Sequence, residues 1–420
     1  MKVMVVGGGG REHAIIKKLK ENKDITEIFA LPGNGGMQQD ATLVNIGAKD
    51  IDAQVEFAKA NGIDYAVVAP DDPLVLGAVD ALTEAGIPCF GPDKKAAIIE
   101  GSKVFSKNLM KKYNIPTAEY EVFSNKDDAL KYLETAPIPT VIKADGLALG
   151  KGVIIAETRE AAKEAVVSMM EDKVFGESGS NVVIEEFLTG PEVSVLSFTD
   201  GKTVVPMVSS MDHKRALDGD KGLNTGGMGT IAPNPYYTED IAKKCMETIF
   251  IPTINAMNSE GRSFKGCLYF GLMLTPNGPK VIEYNCRFGD PETQVVLPLL
   301  ESDLLTVMKA TTEGTLDKTE VKFSSGAAAC VVMASNGYPQ KYESGFELKI
   351  DDSVADKVYV AGAKIEDGIL KTAGGRVLGV TDTAADLKTA LDKAYENVKK
   401  VNFANAFYRK DIGAKALKGE

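Results

Sequence analysis

"TVIKADGLALGKGVIIA", residues 140–156, is the stretch on which the fold turns. An apolar run ends at Lys143, passes through a basic, glycine-rich loop and returns as "VIIA". Strand, loop and strand this close together make a hairpin, because a parallel pair needs a crossover of roughly a dozen residues or more. The loop is not a Walker A loop. Three residues separate Gly146 from Gly150, no Ser or Thr follows Lys151, and no helix signal comes next. On a strand Lys143 shares a face with Val141, so a cation emerges from an apolar strand near its end. Two readings stay open at this point. Lys143 is a snorkelling lysine, or Lys143 and Lys151 bracket a flap that closes over a triphosphate.

"VIEYNCRFGDPE" (281–292) is the sharpest segment. Strand alternation puts Glu283, Asn285 and Arg287 on one face and turns Tyr284 and Cys286 to the other. A carboxylate and an amide oxygen are hard donors suited to Mg²⁺, which fills its other positions with phosphate and water. Arg287 adds a planar cation for an anionic substrate. A solvated edge strand would also alternate, but "FGDP" follows at once and sets a turn over the same end, which favours a site.

From residue 1 to about 95, short apolar strands alternate with helical stretches, the pattern of a parallel sheet. Ligands of such sheets sit beyond the carboxyl ends of the strands. Three loops fall there: "VVGGGGREHA" (5–14), "LPGNGG" (31–36) and "APDDPL" (69–74). The first resembles a dinucleotide fingerprint but fails as one. G-x-G-x-x-G read from Gly7 meets Glu12, read from Gly8 it meets His13, and the second strand ends without an acid for a ribose hydroxyl. A single phosphate, or a tight turn with no ligand, accounts for it better.

The rest of the chain sets limits. Its 420 residues carry a net charge of −11, which disfavours nucleic acid and anionic membrane as partners. Five scattered cysteines with no CxxC pair argue against disulfides and zinc and suit a reducing cytosol. No signal-peptide pattern and no run near the ~20 apolar residues of a membrane span are visible, so a cytoplasmic protein is expected. Only His13 and His213 are available, which excludes chemistry built on a histidine cluster. Residues 209–233 show no clear periodicity, although Asp212, His213, Lys214 and Arg215 fall near their start. Long unpatterned loops are usually functional or disordered. A helix is expected near 74–85, another at about 239–258, and the last amphipathic helix places Leu387, Leu391, Ala394 and Val398 on one face.

The basic glycine flap together with the Glu283-Tyr-Asn285 strand resembles the ATP-grasp ligases. The likeness narrows further. "GGGGREHA", "PGNGG", "KADGLALGKGV", "EEFLTGPEVS", "DHKR…NTGGMG", "IEYNCRFGDPETQ", "GGRVL" and "FYRKDIGAKAL" resemble, in order and over nearly the whole chain, the phosphoribosylamine–glycine ligase family. That resemblance implies a multidomain α/β and α+β protein. Residues 1–101 would form a Rossmann-like parallel-sheet domain facing phosphoribosylamine. Residues 102–325 would form the ATP-grasp core, with a flap subdomain at about 118–190, and residues 326–420 a small α+β domain. The implied reaction joins glycine to 5-phosphoribosylamine through glycyl phosphate, with ATP as co-substrate and Mg²⁺ or Mn²⁺ as metal, in a monomer.

Carried over by position, the resemblance puts Lys103 and Lys143 on the ATP phosphates, with Gly150, Lys151 and Gly152 covering them. Glu185, Glu186 and Leu188 would form the adenine hinge and Glu192 would meet the ribose. Glu283 and Asn285 would hold the metal. Gly9, Gly10, Asn34 and Asp72 would face phosphoribosylamine. Asp212, Lys214, Asn224, Thr225, Gly226, Gly227, Arg287 and Asp290 would line the meeting point of the substrates, with Asp212, Lys214 and Arg287 as the catalytic set. Two departures stand out. Gly271 occupies a position where many ATP-grasp enzymes carry a second metal-binding acid, and Val360 and Ala363 stand where histidine and threonine are expected. Other ATP-grasp ligases or carboxylases, a nucleotide-dependent oxidoreductase and a non-catalytic nucleotide sensor are the rival readings. The "NTGGMG" loop, the broken fingerprint and the intact metal strand count against them in turn.

Overall fold

The computed structural model describes residues 1–147 and 152–419. The N-terminal sheet is wholly parallel. Its strands run in the order Thr42–Leu43, Glu27–Pro32, Lys2–Gly7, Tyr65–Val68 and Cys89–Phe90. Val3 to Val6 are fully buried, as a central strand covered on both faces must be. The chain order reverses on either side of Lys2–Gly7, so the loop after it opens at the crevice where such sheets take ligands.

Thr140–Ala144 and Val153–Ala156 pair antiparallel, so the opening stretch is a hairpin. They belong to a four-stranded sheet completed by Val182–Glu186 and Tyr120–Phe123. Helices Lys126–Leu133 and Arg159–Met170 pack on it through a separate core that includes Ile142, Ala165, Val166 and Ile184. A second antiparallel sheet runs Val204–Pro206, Glu192–Asp200, Lys265–Thr275, Gly278–Asn285. Its inner face shares one apolar core with the N-terminal sheet, joining Met4 and Val6 to Phe270, Val281 and Tyr284. That shared core fixes the two sheets against each other and sets the cleft between them.

The C-terminal sheet is built on Ala327–Ser335 and Arg376–Ala384, with Val358–Val360 and Ala406–Phe407 beside them. Ala390, Leu391, Ala394 and Val398 of helix Leu387–Val398 are buried in its core, with Leu387 packed at the edge. Two of its strands, Met211–Asp212 and Gly229–Ala232, come from within 209–233. The irregular loop expected there is therefore structured. Its strands are two to four residues long and interrupted by glycines, too short to leave a visible period, and Arg215–Leu217 and Lys221–Asn224 form a projecting hairpin.

Other boundaries differ for local reasons. The helix expected near 74–85 is two helices, Asp71–Leu76 and Ala78–Glu84, broken at Gly77 with φ +99. The one at 239–258 widens to a π-turn at Met246–Phe250 just before Pro252, which has no N–H to donate to that turn.

Candidate active site

Lys143, next to last in its strand, is buried, with Nζ 3.0 Å from Glu185 Oε2 and 3.1 Å from the carbonyl of Ile282. That carbonyl is available because Ile282 is an extra residue. Val281 faces Leu272 and Glu283 faces Gly271, so the strand bulges between them. The bulge also restores the alternation: Tyr284 and Cys286 are buried, and Glu283, Asn285 and Arg287 line the cleft. Gly271 stands opposite Glu283, where a Cβ would lie 3.1 Å from Glu283 Cγ. Absence of a side chain at 271 leaves that carboxylate its space.

Lys103 opens helix Lys103–Lys112, capped by Ser102, and its Nζ donates to Gly146 O at 2.6 Å. Lys107, one turn on, also reaches Glu185 Oε2 at 3.1 Å and donates to Thr117 Oγ1 at 2.7 Å. Two lysines thus share one oxygen of Glu185, while its buried Oε1 has no hydrogen-bond partner among the described residues. Glu186 accepts from the Glu119 N–H and from Lys280. Burial pushes the Lys103 ammonium below its ordinary range.

Glu283 meets the same cations from the other side. Burial works against its carboxylate, but Lys214, Lys143, Lys103 and Arg287 outweigh it and hold the carboxyl below its usual range. Lys214 lies 4.0 Å from Glu283 and 3.1 Å from Glu192, and the Glu192 carboxylate raises its ammonium well above the ordinary value. Four cations converging on one face offset the overall charge of −11 and favour a highly anionic ligand there. No group of three His, Cys, Asp or Glu suited to a metal occurs among the described residues. The candidate donors that the cleft offers are Glu283 and Asn285, one carboxylate and one amide. They fit Mg²⁺, which completes its shell with phosphate and water, and do not fit an all-protein cage.

The second half of the site forms where three units meet. Asp290 accepts from Gln294 Nε2 at 2.9 Å and from the Arg11 N–H at 3.4 Å. Gly9 and Gly10 face it, since Cβ atoms built there would lie 3.3 and 3.7 Å from its carboxylate oxygens. Arg376, from the C-terminal sheet, donates to the carbonyls of Gly226 (2.7 Å) and Asp290 (2.9 Å). Burial opposes the Asp290 anion, but Arg376 and Arg11 prevail and lower its carboxyl. Thr225 Oγ1 donates to Lys214 O, which ties the "NTGG" turn to the lysine. Gly227 (φ +117) lies against Pro291 and Asp212, where a Cβ would be 2.6 Å from Asp212 Oδ1. Burial, with Glu292 adding like charge, pushes the Asp212 carboxyl well above its ordinary range.

The structure therefore gathers Lys103, Lys143, Glu185, Glu192, Lys214, Glu283, Asn285 and Arg287 on one side, and Gly9, Gly10, Asp212, Thr225, Gly226, Gly227 and Asp290 on the other. Gly152 is buried and its carbonyl accepts the Ala144 N–H. Gly150 and Lys151 lie outside the described residues. Asn224 is exposed on the projecting hairpin, and Leu188 lies half-buried beyond the end of its strand. Asn34 spends its amide on Gly8 O, Val360 O and the Gly36 N–H, at the edge of a cavity of about 440 Å³ between the first loops and Ala361–Ile365. Asp72 pairs with Lys49 at 3.6 Å, and it is Asp71 that feels Arg287 and Arg11. The capping carboxylate of Glu12 takes the Gly9 N–H at 2.6 Å. Sequence reasoning missed Glu100, Lys107 and Arg376. Lys107 left a local signal, four residues after Lys103 and so on the same helix face, and Arg376 lies within the "GGRVL" stretch.

Residues 1–100, 101–293 and 328–415 match the N, ATP-grasp (A) and C domains of phosphoribosylglycinamide synthetase. The chain is 48% identical to the phosphoribosylamine–glycine ligase of Clostridium acetobutylicum, over 98% of this chain and 99% of that one. It is 47% identical to the ligase of that name from Caldanaerobacter subterraneus subsp. tengcongensis, over 99% and 100%. The crystal structure of phosphoribosylamine–glycine ligase from Thermotoga maritima superposes with a TM-score of 0.87 at 35% identity, covering 98% of this chain and 100% of that one. A biotin carboxylase domain of 2-oxoglutarate carboxylase from Hydrogenobacter thermophilus shares the fold at 14% identity and a TM-score of 0.74, covering 97% and 91%. With three matching domains in order and close relatives along its whole length, the chain belongs to the phosphoribosylglycinamide synthetase family.

Proposed function

We propose that the chain joins glycine to 5-phosphoribosylamine, converting ATP to ADP and phosphate, the second step of de novo purine synthesis. Convergence of Lys103, Lys143, Lys214 and Arg287 on the Glu283 face carries this reading. A carboxylate resists attack by an amine. Transfer of the γ-phosphoryl group to a glycine carboxylate oxygen breaks the bond to ADP and makes glycyl phosphate. The amine nitrogen of phosphoribosylamine then attacks the carbonyl carbon, phosphate leaves with the bonding pair, and the nitrogen gives up a proton. No protein nucleophile is consumed. The protein positions reactants and neutralises charge that develops on phosphoryl and carbonyl oxygens.

Lys103 and Lys143 bind the ATP phosphates. Glu185, Glu186 and the backbone at Leu188 hold adenine, and the unpartnered Glu185 Oε1 supports an acceptor for its amino group. Glu192 meets the ribose once it leaves Lys214. Glu283 and Asn285 hold Mg²⁺ or Mn²⁺, which when bound supplies neutralisation of the phosphate charge. Arg287 takes the glycine carboxylate, and Asp212, Lys214, Asn224 to Gly227 and Asp290 line the place where the two substrates meet. Gly9, Gly10, Asn34 and Asp72 face phosphoribosylamine. Among the described residues no helix is long and apolar enough to cross a membrane.

The test is ADP release. ADP is expected only when glycine, phosphoribosylamine and Mg²⁺ are all present. The fold shared with biotin carboxylases gives the competing reading, a bicarbonate-dependent enzyme. ATP turnover with bicarbonate or another amino acid, and none with glycine, would overturn the assignment.

A further inference from the structure

Glu100 is the next-to-last residue of helix Lys94–Gly101, in the N-terminal domain, and its side chain is buried. It accepts two hydrogen bonds and forms one ion pair with three consecutive residues at the end of the metal strand. Oε1 accepts from Asn285 Nδ2 at 2.8 Å and pairs with Arg287 Nη2 at 3.0 Å, and Oε2 accepts the Cys286 N–H at 2.7 Å. A carboxylate in such a site can only accept, whereas an asparagine amide has a donor end and an acceptor end. The amide of Asn285 therefore has to turn its NH₂ to Glu100 and its Oδ1 away from it. Without that acceptor the amide can turn over and present its NH₂ to the cleft, and an NH₂ group repels a cation.

We propose that Glu100 is a positioning residue: it locks the Asn285 amide with its oxygen free for the metal and holds Arg287 beside it. One buried carboxylate thereby sets the metal site and the anion-binding guanidinium together, from a helix belonging to the domain that faces the second substrate. Arg287 keeps a buried Nε with no partner among the described residues, so the bond to Glu100 leaves it donor capacity for a substrate. This inference rests on Asn285 being a metal ligand, as read above.

Mn²⁺ binding to the full chain, followed by electron paramagnetic resonance with a non-hydrolysable ATP analogue, tests it alongside the KM for glycine. Asn285→Ala examines the underlying reading and is expected to weaken Mn²⁺ about tenfold or more. Glu100→Gln is expected to weaken Mn²⁺ by a similar factor and to raise the glycine KM, with metal-free nucleotide binding unchanged. The double variant Glu100→Gln/Asn285→Asp is expected to regain most of the Mn²⁺ affinity, because a carboxylate at 285 has no wrong way round and the new amide can donate to it. Wild-type Mn²⁺ affinity in Glu100→Gln, with a loss in Asn285→Ala, overturns the role of Glu100 alone. Wild-type affinity in Asn285→Ala overturns the metal reading itself. No recovery in the double variant reduces Glu100 to a structural residue. If Glu100→Gln does not fold, a crystal structure of the unaltered chain with Mg²⁺ and the ATP analogue decides: an Asn285 NH₂ still on Glu100 supports the proposal, and one turned away overturns it.

Discussion

His213 Nε2 accepts the backbone N–H of Gly413 at 3.0 Å, across two hundred residues of sequence. Its Nδ1 lies 3.1 Å from the Gly229 carbonyl. An amide can only donate and a carbonyl can only accept, so the ring must be neutral with its proton on Nδ1. Asp212 and Lys214 flank it directly. The C-terminal segment grips the rest of that loop as well. Arg409 donates to Arg215 O at 3.0 Å, Gly219 N–H to Asp411 at 2.7 Å, and Lys410 N–H to Asp218 at 2.8 Å. The motif at 407–417 is a clamp on the loop that carries Lys214.

Arg409→Ala should release that clamp. The Arg409 side chain is buried and serves Asp411 (2.8 Å) and Asp220 (2.9 Å), both partly exposed. Loss of about 2 kcal/mol is expected, below the full cost of a wholly buried pair. Turnover should fall more than nucleotide affinity does, because Lys103 and Lys143 do not depend on this loop. Urea melts with steady-state kinetics check it, and an unchanged kcat in a folded variant would reject the clamp.

Acid should loosen the same contact. Burial, then the Arg409 charge, pushes His213 down to about 4 from an ordinary 6.5. The unfolded chain then binds the proton that the folded chain refuses, so stability rises with pH across that window. The contribution is complete above about 6.5 and lost as pH falls towards 4, on the order of 3 kcal/mol in all. His13, lowered by burial and accepting the Val360 N–H, adds in the same direction. Thermal melts from pH 7.5 to 4.5 should show the fall, with a shallower slope in His213→Gln.

Glu185→Ala should strand two buried ammonium groups, Lys107 and Lys143, at a cost on the order of 3 kcal/mol. Burial already pushes Lys107 down to about 8, and removing its carboxylate lowers it further. The folded variant then sheds a proton that the unfolded chain keeps up to about pH 10, so its deficit should shrink between pH 7 and 9. Melts of variant and parent at those two pH values read this directly. A deficit independent of pH would count against charge as the cause.

Gly227→Ala tests the turn over Asp212. With φ +117 and a Cβ 2.5 Å from Pro291 Cδ, the variant must move either the turn or the Asp290–Pro291 segment. A cost of about 2 kcal/mol is expected, with a marked loss of turnover. A fully active variant of unchanged melting temperature would show that the turn does not hold Asp212 in place.

By itself the sequence determined the features that arise within a few residues. The hairpin at 140–156, the cleft face shared by Glu283, Asn285 and Arg287, and the failed fingerprint at 7–14 all follow from alternation and turn chemistry. Those are short-range properties of the backbone. The order of the motifs carried the rest of the active-site reading. Tertiary structure alone decided what meets across the chain: Glu100 on Asn285, Arg376 on Asp290, Gly413 on His213 and the Lys143 ammonium on the bulged carbonyl of Ile282. It also decided that 209–233 lends two strands to the C-terminal sheet. None of these leaves a periodic trace, because each depends on a donor and an acceptor made adjacent only by the packing of separate sheets on one core.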